Sequence, residues 1–485
     1  AGHGTAQARA VTQPAVERQN YNFTLAILIF AGISIALQQT MVVPALPELQ
    51  REFDTTTAWA TWLLTGFLLS ASVATPLLGR LGDQYGKERV LLISLLIFFT
   101  GSVAAIFAPN IAVLIGCRIL QGAGAAVFPL SFAIIKDEFP AEKVGVAVGA
   151  VSAVFAVGGG LGLVLSGVIM DNLSWHWLFV VGAVAVGIAA VLVHLYVPES
   201  PIKSPSRVDF IGATLLSVGL VALLVALTEG ESWGWGSTRV VTLFTVAAVA
   251  LVAWGYAETK VPDPMVDMRM LARRPVFFAN LTGLIAGFAM FGSFVLVPNF
   301  VQISEDVAGY GFGASATTTG LYLVPAALAG FLMGPLAGIM GRRWGSKWPL
   351  SIGMTLATIA LTMLAEWHDE PWQVVAAMLV FGLGIPMTFA AMANIIVTAV
   401  RPTETGVATG MNTVMRTIGG VIGGQVGAAI LTAETIGPLG IPQESAFTTA
   451  FWISASAALV GAVVALLITP LRGREAAREP VQVSP

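Results

Sequence analysis

Fourteen apolar stretches alternate with short polar segments along the 485-residue chain. A helix needs about 20 largely apolar residues to cross a bilayer, and in lipid it must pair its own backbone groups. The stretches therefore predict an all-α polytopic membrane protein. Their approximate limits are 24–45, 58–79, 90–108, 111–135, 144–170, 176–197, 209–228, 240–257, 277–300, 315–340, 349–366, 373–398, 406–432 and 446–470.

The basic residues are distributed unevenly between the two sides of the predicted membrane. Of the 24 Lys and Arg residues, only Arg51 and Arg239 fall on one side, while Arg118 and Arg416 fall inside spans. The others fall on the opposite side, and the acidic residues show no such bias. Because basic residues are retained in the cytoplasm during insertion, we expect both ends of the chain there, with the spans in the cytoplasmic (plasma) membrane.

The composition argues against several classes of function. Apolar residues make up 56% of the chain and charged residues 11%, and the net charge of −3 favours no nucleic-acid partner. Cys117 is the single cysteine, the four histidines lie far apart, and catalytic motifs such as His-Glu-x-x-His or a phosphate-binding loop are absent. We therefore expect neither an enzyme nor a metal or other cofactor. The polar first 19 residues predict no cleavable signal peptide.

Glycine patterns repeat between the two halves of the chain. Pro76 to Gly79, followed by Gly82 and Gly86, recurs as Pro335 to Gly338, followed by Gly341 and Gly345, at an offset of 259 residues. Two further sets recur at offsets of 260 and 261 residues: Gly122 and Gly124 as Gly382 and Gly384, and Gly158, Gly159 and Gly162 as Gly419, Gly420 and Gly423. The repeat predicts two six-helix bundles related by pseudo-two-fold symmetry, with two further spans inserted between them. The predicted divisions are a tail at 1–22, bundles at 23–197 and 276–470, an insertion with its linkers at 198–275, and a tail at 471–485.

One segment resembles a known family. The stretch Gly79-Arg80-Leu81-Gly82-Asp83-Gln84-Tyr85-Gly86-Lys87-Glu88-Arg89, which joins the second and third spans, resembles the signature loop of the major facilitator superfamily. Arg118, Gln121 and Gly122 resemble its fourth-helix motif. With fourteen spans, the chain is most similar to the 14-helix drug:proton antiporters. The resemblance implies the superfamily fold and a secondary active transporter that exports small amphipathic compounds, as in multidrug resistance, by alternating access.

The resemblance also implies residues for coupling and conformational change. Asp83 is expected to face a helix N-terminus across the interface of the two halves, with Arg80 and Lys87 nearby, and so to latch one state. Arg118 is expected to serve proton coupling, or else to anchor neighbouring helices by hydrogen bonds. Gly162 and Gly167 correspond to the fifth-helix antiporter motif, in which the usual proline is absent.

The acidic residues depart from the family pattern. Gln38 occupies the position where the 14-helix antiporters usually have an aspartate, and no Asp or Glu lies in the central part of a predicted span. Proton coupling needs a group whose affinity for a proton changes as access alternates. Either Asp83 or Asp137, near a span end, takes this role, or coupling is altered or absent.

The candidate pathway residues are polar or aromatic side chains within spans: Gln38, Gln39, Trp62, Phe67, Phe155, Phe291, Asn394, Asn412 and Arg416. Each has helix packing as its alternative role. Because two bases and no acid lie in the central parts of the spans, we expect a preference for neutral or anionic amphiphiles. The expected partners are a small-molecule substrate and the lipid bilayer, with protons as a further candidate and a monomer as the expected state. The alternatives are an uncoupled, importing or lipid-moving transporter and, from another class, a membrane sensor.

Overall fold

The structure is a computed structural model that describes residues 21–200, 202, 209–436 and 441–468. This part of the chain is almost entirely helical. The helices are α1 Tyr21–Glu52, α2 Thr57–Tyr85, α3 Lys87–Ile106, α4 Ile111–Ala123, α5 Val127–Glu138, α6 Ala141–Asn172, α7 His176–Tyr196, α8 Phe210–Trp233, α9 Thr238–Glu258, α10 Met268–Leu271, α11 Arg274–Gln302, α12 Glu305–Ala308, α13 Ala316–Trp344, α14 Lys347–Glu366, α15 Pro371–Ala399, α16 Thr405–Ala433 and α17 Glu444–Leu466. A 3₁₀ turn, Pro402–Glu404, precedes α16, and two short antiparallel strands, β1 Thr435–Ile436 and β2 Ile441–Pro442, precede α17.

The helices match the predicted spans. Thirteen helical segments in the described residues are long and apolar enough to cross a membrane. In the position of the remaining predicted span lies α11, which has 29 residues and an apolar stretch at Arg274–Met290. The prediction of an all-α polytopic membrane protein is confirmed. Most of the two predicted tails lies outside the described residues, although Tyr21 and Asn22 belong to α1 rather than to a tail.

The structure corrects two details of the predicted spans. The span predicted at 111–135 is present at Ile111–Glu138, but it is not one helix, because α4 ends at Ala123 and α5 begins at Val127. The segment predicted as a loop between the second and third spans is largely helical: α2 continues to Tyr85, and only Gly86, with φ of 122°, separates it from α3. This backbone conformation suits glycine because it has no Cβ. The chain therefore turns within one residue.

The helices form two bundles with an additional hairpin. Helices α1 to α7 pack around apolar clusters that include Leu28, Phe98 and Phe179. Helices α11 and α13 to α17 pack around a second core, which Leu216, Leu220 and Leu224 of α8 also join. The hairpin of α8 and α9 thus lies against the second bundle, and α8 also contacts α2.

The contacts between the bundles follow the sequence repeat. In α2, Gly79 packs on Gly406 of α16, and in α13, Gly338 packs on Gly145 of α6. Positions 79 and 338 differ by 259 residues and positions 145 and 406 by 261, which are the offsets of the repeat. A Cβ on Gly79 would lie 2.5 Å from the Gly406 carbonyl oxygen, and one on Gly338 would lie 2.2 Å from that of Gly145. The two bundles therefore meet along two equivalent glycine seams, α2/α16 and α6/α13.

Candidate functional site

A cavity of about 510 Å³ lies between the two bundles. Its walls come from α1, α2, α4 and α6 of the first bundle and from α11 and α13 of the second. The polar lining residues are Gln39, Thr40, Arg118, Asn299, Gln302 and Thr319, and the remaining lining is mostly apolar, including Leu64, Leu163 and Met290. We call the end of the molecule at Gly86 and Gly345 the basic end. The lining residues of α1, α11 and α13 lie in the halves of those helices remote from it.

Of the predicted functional residues whose side chains the structure describes, three line this cavity: Gln39, Phe67 and Arg118. Trp62 does not, and its partly buried side chain packs against the apolar clusters of both bundles. Asn299, Gln302 and Thr319 were not among the predicted residues. They lie near helix ends, where polar side chains are common, so the sequence offered no signal to single them out.

Gln38 lies outside the cavity, contrary to its predicted place on the pathway. Its side chain is fully buried and accepts a hydrogen bond of 3.1 Å from the Ser102 hydroxyl of α3. Gly182 of α7 leaves room for it, since a Cβ there would lie 1.8 Å from the Gln38 Oε1 atom. Gln38 therefore joins α1, α3 and α7 within the first bundle. Successive residues point about 100° apart on a helix, so Gln39 faces the cavity instead.

The Arg118 side chain ends a chain of buried polar groups. Gln121 donates to the Ser102 hydroxyl at 2.9 Å and accepts from Arg118 Nη1 at 2.6 Å. Arg118 Nε donates to the Leu63 carbonyl oxygen at 3.0 Å. The guanidinium lies 4.5 Å from the centre of the Phe67 ring, a cation–π geometry. Both roles expected for Arg118 are compatible with this position, which joins α2 to α4 and also borders the cavity.

Arg416 lines a second, smaller cavity of about 20 Å³, room for about one water molecule. Its guanidinium lies 4.4 Å from the centre of the Phe389 ring. Asn412 also lines this cavity and donates to Asn280 Oδ1 at 3.1 Å, within the second bundle. Asn394 instead reaches across the interface and donates to the Gly145 carbonyl oxygen at 3.1 Å. These three predicted pathway residues are therefore separate from the larger cavity.

Asp83 joins the two bundles at the basic end. Its carboxylate accepts hydrogen bonds from the backbone N–H groups of Gly406 and Val407, each at 3.2 Å. These groups belong to the first turn of α16, where N–H groups lack intrahelical partners and the helix dipole favours negative charge. This is the contact expected from the sequence. Asp83 lies in the last turn of α2 and is fully buried.

A buried charge cluster extends from Asp83. The Lys87 ammonium lies 4.0 Å from the Asp83 carboxylate and donates a hydrogen bond to Asp137, and all three side chains are fully buried. The Ser200 hydroxyl also donates to Asp137, and the Ile202 carbonyl oxygen accepts from Lys87 at 3.4 Å. Arg80 is partly buried one turn before Asp83. The sequence suggested no role for Ser200 or Ile202, which were assigned to a linker.

Further polar contacts close the basic end. Lys136 of α5 donates to the Val400 carbonyl oxygen at 2.6 Å, and Arg342 of α13 donates to the Glu142 carbonyl oxygen at 2.9 Å. Arg342 is the counterpart of Asp83 in the repeat. Both residues thus contact the first turn of a helix in the other bundle, one through an acid and the other through a base.

The two motif glycines permit close helix packing. A Cβ on Gly162 would lie 2.1 Å from Thr40 Oγ1 of α1, and a Cβ on Gly167 would lie 2.8 Å from Thr317 Oγ1 of α13. Gly162 therefore lies within the first bundle, while Gly167 lies at the α6/α13 seam. Two other predicted pathway side chains, Phe155 and Phe291, are not among those that the structure describes.

Comparison with known proteins identifies the family. The model of the Major Facilitator Superfamily matches residues 28–424 and 282–484. This chain belongs to the Major Facilitator Superfamily. Its helical fold also resembles the crystal structure of the human organic anion transporter MFSD10 (TETRAN), with a TM-score of 0.64, 14% sequence identity, and coverage of 92% of this chain and 99% of that one. At this identity the likeness concerns the fold alone.

Bacterial relatives are more similar in sequence. The chain is 30% identical over 390 residues to multidrug resistance protein Stp of Mycobacterium tuberculosis, covering 79% of this chain and 71% of the relative. It is 27% identical over 390 residues to multidrug resistance protein 3 of Bacillus subtilis, covering 80% and 75%. This superfamily member is therefore a multi-pass membrane transporter with multidrug resistance proteins among its relatives.

Proposed function

We propose that this chain exports small amphipathic compounds across the plasma membrane by alternating access. The basic end is then cytoplasmic, as are both chain ends, and the moving units are the bundles at 23–197 and 276–470. The segment 198–275 is an insertion that forms no wall of the pathway. A monomer provides the complete pathway.

This proposal rests on the position of the cavity. The cavity lies between two bundles that are sealed against each other at the basic end. Two glycine seams and the contacts of Asp83, Lys136 and Arg342 hold the bundles together there. A site that lies between the bundles and is shielded on one side matches one state of an alternating-access cycle. The mostly apolar lining suits an amphipathic compound, and the multidrug resistance relatives support export.

Proton coupling is proposed through the acids of the basic end. An ionised Asp83 accepts charge-assisted hydrogen bonds from α16, and protonation would weaken them. Asp137, held by Lys87 and Ser200, is the second acid of the same cluster. Uptake of a proton here would loosen the seal and favour the state open to the cytoplasm. The Gln38 side chain, buried between helices, has no charge to contribute.

Transport in proteoliposomes tests the proposal. The purified full chain is reconstituted with an imposed pH gradient and screened against neutral, anionic and cationic amphipathic dyes. We expect at least one dye to accumulate above the level of protein-free liposomes, and dissipating the gradient to abolish accumulation. No accumulation of any dye would contradict export. Accumulation that does not depend on the pH gradient would favour the alternative of an uncoupled transporter.

A further inference from the structure

The cavity between the bundles carries one formal charge among its lining residues, and that charge is positive. Arg118 is the charged residue, and the other polar lining residues are the neutral side chains of Gln39, Thr40, Asn299, Gln302 and Thr319. No aspartate or glutamate of the described residues borders this space. The electrostatic potential within the cavity therefore favours an anion, because the low-dielectric surroundings screen the charge poorly.

The guanidinium of Arg118 has an unused donor. Its Nε and Nη1 atoms are bonded to two neutral acceptors, the Leu63 carbonyl oxygen and the Gln121 amide oxygen. Its Nη2 atom is buried and has no acceptor in the described part of the chain, and no described carboxylate forms an ion pair with Arg118. A fully buried guanidinium with an unsatisfied N–H is costly unless a partner arrives. This points to a ligand that supplies the acceptor.

The aromatic ring of Phe67 contacts the Arg118 guanidinium. Phe67 lines the same cavity, stacks over the guanidinium at 4.5 Å and meets the Phe98 ring edge-on at 6.3 Å. Because the Phe67 ring borders both the guanidinium and the cavity, it can pack on the apolar part of a ligand whose acidic group binds Arg118.

We propose that Arg118 binds the carboxylate of amphipathic organic acids, with their apolar bodies against the walls that include Leu163 and Met290. This inference rests on the proposed function, because it takes the cavity as the substrate site. The other buried base within the spans, Arg416, borders the small cavity of about 20 Å³ rather than the larger one, and it stacks on Phe389. It therefore takes no part in this recognition. Gln39 lines the same cavity, so a substitution there can introduce an opposing charge into its wall.

Equilibrium binding of three matched probes tests the assignment. The full chain in nanodiscs of zwitterionic lipid is titrated calorimetrically with 2-naphthoate, 2-naphthamide and 2-naphthylmethylammonium at neutral pH, without any gradient. We expect the carboxylate to bind at least about tenfold more tightly than the amide, as a charge-assisted hydrogen bond allows, and the ammonium probe to bind most weakly. Equal or weaker binding of the carboxylate would overturn the proposal without recourse to any variant.

Variants then test the residue. Arg118→Gln should bring the carboxylate and amide affinities to within about twofold, Arg118→Lys should retain part of the preference, and Gln39→Glu should reverse it towards the ammonium probe. Arg239→Gln, which removes an exposed base from α9, should leave the preference unchanged. If the melting temperature shows that Arg118→Gln does not fold, the probe preference of Gln39→Glu tests the proposal instead. An undiminished carboxylate preference in Gln39→Glu, or in a folded Arg118→Gln, would contradict the proposal.

Binding and transport outcomes separate this inference from the proposed function. If the chain prefers the carboxylate probe but transports no dye in proteoliposomes, the Arg118 site is supported and the export function is contradicted. If the chain exports dyes but binds the three probes equally well, the export function is supported and the Arg118 site is contradicted.

Discussion

At the scale of single residues, the contact of Asp83 was predictable and its surroundings were not. Asp83 lies within a glycine-rich segment at a span end, where an acid and a helix N-terminus commonly meet. Lys87 lies one turn further along the chain and was therefore a natural neighbour. Asp137 and Ser200 join the cluster from 50 and 113 positions beyond Lys87, and nothing in the local sequence specifies such pairings.

Replacing Asp83 by asparagine should impair transport more than folding. The amide is neutral and nearly isosteric, so it retains an acceptor for α16 but loses the charge that strengthens both hydrogen bonds. Lys87 keeps Asp137 as its partner. In Asp83→Asn we expect the initial rate of dye accumulation in proteoliposomes to fall by about tenfold or more, with a melting temperature close to that of the parent.

The control for this change is Asp54→Asn. Asp54 is an exposed acid between α1 and α2 with φ of 45°, a conformation that asparagine also adopts readily. The initial rate of dye accumulation by Asp54→Asn should match that of the parent. A rate for Asp83→Asn equal to that of Asp54→Asn would remove the role of Asp83 in closing the basic end.

The neighbouring residues Gln38 and Gln39 illustrate where prediction from sequence ends. Both were predictable as uncharged polar groups in a span. Which of the two faces the cavity depends on the rotation of α1 against α3 and α7, and this is fixed by Ser102 and Gly182, more than 60 positions away. The low amphipathicity of a helix surrounded by other helices and lipid gives no indication of that rotation.

At the scale of helices, the repeat predicted two related bundles but not which glycines would meet between them. The offsets found in the sequence are those that relate Gly79 to Gly338 and Gly145 to Gly406 in the structure. The break between α4 and α5 was not predictable in the same way. Apolar residues continue through Gly124 to Ala126, and the break occurs where a Cβ on Gly124 would lie 2.4 Å from the Ser94 carbonyl oxygen of α3. Close packing against another helix therefore determines this feature.

An added methyl group in the seam should separate the bundles at the basic end. A Cβ on Gly334 would lie 2.2 Å from the Gly149 carbonyl oxygen and 2.6 Å from the Ala153 Cβ. Gly334→Ala should therefore destabilise this closed state by roughly 1–3 kcal/mol, the usual cost of overpacking. We expect a lower melting temperature in detergent and slower dye accumulation.

Gly424→Ala is the matched comparison, because Gly424 lies within α16 and a Cβ there would meet no atom within 4 Å. Alanine favours the helix over glycine by roughly 0.5–1 kcal/mol, so its melting temperature should equal or exceed that of the parent. Similar melting temperatures for Gly334→Ala and Gly424→Ala would show that the seam is not closely packed.

At the scale of the whole molecule, the apolar stretches and the glycine repeat were sufficient to predict a helical membrane protein of two bundles. They could not indicate which end is closed. If this chain works by alternating access, as proposed, two arrangements of the same bundles differ by only a few kcal/mol and the sequence must support both. The closed basic end follows from contacts between distant positions, such as Lys136 with Val400 and Arg342 with Glu142.

Cross-linking the bundles at the basic end tests alternating access most directly. Glu142 and Arg342 are exposed, lie on different bundles and are in contact. In the double variant Glu142→Cys, Arg342→Cys, a bifunctional methanethiosulfonate reagent should join α6 to α13. The pair Arg343→Cys, Lys347→Cys, which joins α13 to α14 within one bundle, is the control. The parent, with only the buried Cys117, controls for the reagent.

Dye accumulation in proteoliposomes is the measurement. For the pair that joins the two bundles, we expect accumulation to fall to the level of protein-free liposomes after cross-linking and to recover when the linker is reduced, because opening at the basic end is then blocked reversibly. For the pair within one bundle, we expect little change. Accumulation at the parental rate while Glu142→Cys and Arg342→Cys remain cross-linked would contradict transport by separation of the bundles at this end.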